Sequence, residues 1–233
     1  MSRKMELMPG GPGGRRTLAE TAAAELHQLI LSGELPSGTP LRLVDLANRL
    51  EMSQMPVREG LRRLEALGLV DIVPHKGAWV RELSLEDLRD TQETRIALEA
   101  LAVRAAAERF TEADACTAAD ALQLQVKLAK AGDIVGARQA HTDFHFAIYR
   151  AGGSRWLTRA IEPVWQNSER YRFGSPQSPD RIELHRREHE AILKACIAHD
   201  VAGAEEALRK HLDGATERIS ALMTGEAGGT GKD

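Results

Sequence analysis

The texture of the chain changes once, near residue 83, and that change limits the fold more than any other feature. Up to Leu83 the apolar runs are short and broken by turn formers: LAETAAAELHQLILSGEL, PSGTPL, RLVDLANRLEM, SQMPVREGLRRLEALGLV and DIVPHKGAWV. After the SLED stretch, Ala, Leu and Glu are abundant and Pro is scarce, a composition that favours helix. Apolar spacing there predicts six long helices, near 85–109, 112–131, 134–151, 154–172, 179–199 and 201–223. The turn signals AGD, AGGS, GSPQSP and HDVAG separate the later ones, and Ser84 can cap the first, with Asp87 at the third helical position. The expectation is a mainly α chain in two domains, 15–83 and 84–224, without internal repeats. The Gly-rich ends, 1–14 and 225–233, read as disordered tails.

Composition excludes little else. An apolar fraction of 42% closes a core, the 4% of aromatics leaves it aliphatic, and a net charge of −3 neither demands nor forbids nucleic acid. Cys116 and Cys196 have no CxxC partner, which fits a reducing compartment. The opening MSRKMELMPGGPGG lacks the apolar core of a signal peptide, and no apolar run approaches the length of a membrane span. A soluble, cytoplasmic protein with no membrane partner is expected.

In the N-terminal part, Leu18, Ala22, Leu26, Leu29 and Ile30 give a first helix one apolar face, with His27 expected at the surface. Leu43, Leu46, Ala47 and Leu50 give a second helix, and Met52–Ser53 a tight turn with Ser53 as N-cap. The third buries Val57, Leu61, Leu64 and Leu67 and leaves Gln54, Met55, Arg58, Arg62 and Arg63 outward. VDIV and AWVREL then alternate as two strands around PHKG. Three helices and a β-wing make a winged helix-turn-helix, whose third helix enters the DNA major groove. Charge alone does not say so, because residues 15–83 hold nine Lys/Arg and nine Asp/Glu. Placement carries the reading. Arg42, Ser53, Gln54, Met55, Pro56, Arg58, Arg62, His75, Lys76 and Gly77 are the candidate DNA contacts.

The run LVDLANRLEMSQMPVREGLRRLEALGLVDIVPHKGAWV resembles the GntR family of bacterial transcription regulators, with PVRE, LRRLEALGLV and PHKGAWV matching closely. The resemblance covers about residues 17–83. Gln54-Met55 stands where the family has Arg-Thr, and Lys76 where an arginine is common, so an unusual half-site is implied.

Six of the eight histidines fall between His141 and His211. On a helix, His141 and His145 share a face. His189 and His211 lie eleven residues either side of Asp200, the turn of a helical hairpin, and so come to matched height. Either these imidazoles converge on a metal ion or they are the polar faces of His-rich helices. His185 reads as solvent-facing or supporting, and His199 as a helix C-cap. Resemblance bears on the choice. TRIALEALAVRAAA, HTDFHFAIYRAGGSRWL and HEAILKACIAHDVAGAEEALRKHL resemble the all-helical FCD effector domain of the FadR subfamily.

Its metal-binding members imply four ligands, which fall by position on His141, His145, His189 and His211. His141 stands in an aspartate's place, with Asp143 two residues on, and this shifts preference toward a divalent ion such as Zn²⁺ or Ni²⁺. The resemblance also implies a small carboxylate effector, a homodimer and a pseudo-palindromic double-stranded operator. Arg95 is the candidate carboxylate partner, its alternative being an ion pair with Glu99 one turn on. The implied function is a DNA-binding transcription regulator controlled by a small organic acid at a metal-containing domain. A direct metal sensor and a metal-dependent helical-bundle enzyme are the other readings. Against the enzyme, the sequence shows no HExxH, no nucleophile with a placed base and no inward carboxylate pair.

Overall fold

The computed structural model describes residues 16–172 and 178–225. The tails expected at 1–14 and 225–233 lie outside them, apart from Gly225. The chain divides into two compact units between Leu83 and Ser84. Among the described residues there are nine helices and one two-stranded sheet.

The first unit begins with α1 (Leu18–Leu31), whose start is fixed by reciprocal capping between Thr17 and Glu20. Ala22, Leu26 and Ile30 are buried, but Leu18 is 64% exposed. The apolar stripe therefore starts one turn later than its spacing suggests. His27, expected at the surface, is 4% exposed. It sits one residue past Leu26 and three before Ile30, on the flank of the face that packs on the third helix.

Helix α2 (Leu43–Arg49) buries Leu46 and Ala47, and α3 (Gln54–Ala66) buries Val57, Gly60, Leu61 and Leu64. Ser53 occupies the N-cap position with extended backbone, but its side chain makes no capping bond. At Gly60 a Cβ would lie 2.9 Å from the Ala23 backbone nitrogen, so the closeness of α1 to α3 depends on glycine here. Strands β1 (Val70–Val73) and β2 (Gly77–Val80) are antiparallel, with Val70 opposite Val80 and Val73 opposite Gly77. The second strand stops at Val80, short of the AWVREL expected. Its partner begins at Val70, and beyond that the Arg81 amide bonds to Leu69 and the Leu83 amide to the Ser37 hydroxyl. His75 (φ 62°) and Gly77 (φ 120°) turn the wing.

The second unit is six helices: α4 (Leu85–Ala107), α5 (Glu112–Lys130), α6 (Ile134–Ala151), α7 (Arg155–Tyr171), α8 (Pro179–Ile197) and α9 (Val201–Thr224). Each starts at a Ser, Thr or Asp whose side chain accepts a first-turn amide: Ser84, Thr111, Asp133, Ser154, Ser178 and Asp200. Val103, Phe144, Ile148, Trp165, Ile192, Leu208 and Leu212 are all but fully buried between them. Helix α4 is central, packing on α6, α7, α8 and α9, while α5–α6 and α8–α9 form hairpins. His199 (φ 54°) sits in the last of these turns, and its Nδ1 donates to the Ala107 carbonyl at 2.8 Å. It caps α4 rather than its own helix.

Candidate functional site

In the first unit, Gln54, Arg58 and Arg62 are exposed at four-residue spacing along α3, opposite the buried Val57, Leu61 and Leu64. Arg58 and Arg62 line one groove with Arg42, which precedes α2, and with His75, Lys76 and Gly77 of the wing. Ser53, Gln54, Met55 and Pro56 form the first turn of the same helix but do not line that groove. Met55 is 67% exposed. Arg62 pairs with Glu59 at 3.1 Å across an exposed turn, a contact of little energy. Among the described residues no ion pair holds Arg42, Arg58 or Lys76, so their charges face solvent.

In the bundle, α6 contributes His141 and His145, α8 contributes His189 and α9 contributes His211, each 3% exposed or less. One ring nitrogen from each lies within 4.8 Å of all the others. Asp143 is exposed and accepts from Gln139 at 2.9 Å, outside the cluster. His185 is half-buried, its ring 6.5 Å from that of His189. Among the described residues, the cluster thus comprises the four histidines that the resemblance implies.

Hydrogen bonds orient the rings. His145 Nδ1 lies 3.1 Å from the Tyr149 hydroxyl, which donates to Glu99 at 2.5 Å, so His145 gives its proton to Tyr149 and turns a bare Nε2 inward. His211 Nδ1 donates to Glu188 at 2.8 Å and likewise keeps Nε2 bare. Carboxylates behind histidines in this way are a regular feature of metal sites. His145 Nε2 and His189 Nε2 face each other at 3.2 Å. That separation suits two nitrogens on one ion, since metal–nitrogen bonds of about 2.1 Å put neighbouring ligands about 3.0–3.4 Å apart. His189 Nδ1 is buried without a hydrogen-bond partner.

Burial holds all four imidazoles well below the ordinary histidine pKa. Nearby charge adds to this: Arg172 is the next cause at His141 and His211, and the neighbouring histidines at His145 and His189. A carboxylate 2.8 Å from His211 would ordinarily raise its pKa, but Glu188 is also engaged by Arg218 at 3.1 and 3.2 Å. Neutral imidazole is the ligating form, so the donor set fits a borderline transition ion.

Arg95 faces inward, as expected, and its fork is taken by Glu99 at 2.6 and 3.3 Å while its guanidinium lies 4.7 Å over Trp165. Two carboxylates of the bundle, Glu99 and Glu169, are buried. Neither belongs to the cluster of ligand atoms. Glu99 is held by Arg95 and Tyr149. Glu169 lies 3.2 Å from Arg172, whose Nη1 is also 2.9 Å from both ring nitrogens of His141. Only the unprotonated nitrogen of the two accepts. Arg172, Glu169 and Tyr149 were missed in the sequence, although Tyr149 follows His145 by one turn and Arg172 follows Glu169 by nearly one.

Residues 18–80 match the model of the gntR family of bacterial regulatory proteins, and residues 90–214 match the FCD domain. The chain belongs to the gntR family. A relative from Paenarthrobacter nicotinovorans, "Probable D-xylose utilization operon transcriptional repressor", is 33% identical over 85% of this chain and 88% of its own. The HTH-type transcriptional regulator BphR of Paraburkholderia xenovorans is 31% identical over 85% of this chain and 83% of its own. The solved E. coli McbR/YncC shares the fold, with a TM-score of 0.78 at 24% identity over 90% of this chain and all of that one. As a gntR-family member with an FCD domain, the chain is a DNA-binding transcription regulator and not an enzyme. No described helix is long and apolar enough to cross a membrane.

Proposed function

We propose that residues 15–83 read a pseudo-palindromic operator as one head of a homodimer, and that residues 84–224 bind a divalent ion and a small carboxylate that together set operator affinity. The observation that carries this reading is the convergence of four buried, neutral imidazoles beside a cavity lined by His141 and by arginines, Arg172 among them. A polar face of His-rich helices would not bury four rings from three helices. His141, His145, His189 and His211 hold the ion, and an all-nitrogen set favours Zn²⁺ or Ni²⁺ over oxygen-loving ions. Such an ion supplies a fixed positive charge with room for an oxygen donor. Arg95 then acts as a positioning residue, since it fixes Glu99, which fixes Tyr149 and so the His145 ring.

At the DNA, α3 presents Ser53, Gln54, Met55, Pro56, Arg58 and Arg62 to base edges and phosphates, with Arg42, His75, Lys76 and Gly77 flanking them. The test begins with elemental analysis of protein purified without an affinity tag or chelator, where one ion per chain is expected. Operator affinity is then measured with the ion alone and with ion plus small carboxylates. Release or tightening that needs the carboxylate supports the reading. A full response to the ion alone makes the protein a direct metal sensor, and protein without metal returns the cluster to structural polar packing.

A further inference from the structure

Among the described residues the most exposed large apolar side chain is Trp156, at 79%. It stands in the first turn of α7, and the Arg159 guanidinium lies 5.6 Å over its ring. Leu101 of α4 is 57% exposed. The two helices run antiparallel, because Tyr171 bonds to Ser84 and Asn167 to Asp87 and Thr91. Counting back along α7 from those bonds brings Trp156 to the height of Leu101. The turn before α7 agrees with this, since a Cβ on Gly152 would lie 3.3 Å from the Ala105 Cβ. Helix α4 turns Arg95, Glu99 and Val103 inward and α7 turns Ile161 and Trp165 inward, which leaves Leu101 and Trp156 on the outer side of their seam.

Charge is ordered along this outer side. The first half of α4 exposes Glu86, Asp90 and Glu93, with Arg89 its one exposed cation. The opposite end exposes Arg155 and Arg159 of α7 and Arg109 just past α4, with Glu108 beside them. Among the described residues no ion pair holds Glu86, Asp90, Glu93, Arg155 or Arg159. The face therefore has an acidic end and a basic end, and Ala97, Leu101 and Trp156 supply its apolar part. Such an order is complementary to itself. Turning a second copy by half a revolution about an axis normal to the face lays basic end on acidic end twice over, and brings the apolar parts together. Taken with the reading of the protein as a homodimer, on which this rests, we infer that the outer face of α4 and α7 seats a second copy of this chain. Trp156 is its apolar anchor, and Glu86, Asp90 and Glu93 face Arg155 of the partner subunit and Arg159 of the partner subunit. Tryptophan and arginine are the side chains that most often dominate such contacts.

The test is sedimentation analysis of the full-length protein over a concentration series, which gives the dimer dissociation constant. Trp156→Ala should raise that constant about thirtyfold or more, since a two-fold contact holds the ring twice. Arg155→Glu/Arg159→Glu and Glu86→Lys/Asp90→Lys should each weaken the dimer too. Mixed together, these two charge variants should form a heterodimer tighter than either homodimer, because every contact then joins opposite charges again. A helical circular dichroism spectrum like that of wild type certifies each variant. A dissociation constant within about threefold of wild type in Trp156→Ala and in both charge variants overturns the inference while leaving the homodimer reading intact. Charge variants that weaken the dimer without recovery on mixing overturn it as well. A wild-type chain that stays monomeric across the series removes the homodimer reading itself.

Discussion

Replacing Arg95 by methionine separates two roles for that residue, effector partner and internal brace. The structure shows a charge pair at 2.6 Å in which the arginine side chain is 7% exposed and the glutamate is fully buried. Arg95→Met leaves the Glu99 carboxylate in the core with only the Tyr149 hydroxyl to answer it. Removing one partner of a buried pair costs about 3–5 kcal/mol, because the remaining charge has lost both water and counter-ion. For a unit of this size, that loss lowers the melting temperature by roughly 10 °C. The double variant Arg95→Met/Glu99→Leu removes both charges and should recover most of the loss, since apolar replacement of a whole buried pair is close to neutral. Urea unfolding of metal-stripped wild type, both single variants and the double variant completes the cycle. The reasoning fails if Arg95→Met lies within about 1 kcal/mol of wild type yet no longer binds a carboxylate. That pattern makes Arg95 the effector contact and its bond to Glu99 incidental.

Arg58→Ala should abolish operator binding, because a contact worth about 1–3 kcal/mol is lost in each half-site. Lys76→Ala should weaken binding less and flatten its salt dependence, and unchanged affinity in Arg58→Ala by fluorescence anisotropy would remove α3 as the reading helix. His141→Asp should keep an ion but shift its preference toward Mn²⁺, whereas Asp143→Ala should retain wild-type metal content; elemental analysis showing the reverse would make Asp143 the ligand. Metal-stripped protein should lose stability as pH falls from 7.5 to 5.5. His141, His145 and His189 have folded pKa values depressed below the unfolded value of about 6.5, so the stability they contribute is present above that pH and is lost below it. A urea midpoint that stays flat over this interval would mean the rings are not buried in the neutral form.

The two histidine pairs were legible because their geometry is local, whereas their meeting at one site was implied only by the family resemblance. His141 and His145 are one turn apart, and the Asp200 turn sets His189 against His211 without knowledge of any other helix. The arginine wall was not legible. Arg138, Arg172, Arg181 and Arg218 come from four helices, and only their mutual packing brings them to one cavity. His27 shows the same limit on a small scale, since periodicity places it on the flank of α1 and tertiary packing buries it there. The Arg95–Glu99 pair lay between these cases. Its spacing was visible, but whether an anion or Glu99 took the fork depended on side-chain placement.

Tyr171 and Arg172 are consecutive at the end of α7, and they hold different parts of the bundle. Arg172 reaches His141 and the cavity. The Tyr171 hydroxyl accepts from the Ser84 amide at 3.3 Å and donates to Asp87 at 2.5 Å. Asn167, one turn earlier, donates to Asp87 at 2.9 Å and to Thr91 at 2.8 Å. Ser84 is the residue at which the chain enters the bundle, directly after Leu83 of the DNA-reading unit. Cavity and entry point are therefore clamped by the two ends of a single peptide bond. Arg172 is the C-cap of α7 and Tyr171 its last helical residue, so the two contacts sit on adjacent residues of one stiff element. On the proposed reading, the last turn of α7 ties an occupant of the cavity to the residue at which the chain enters the bundle.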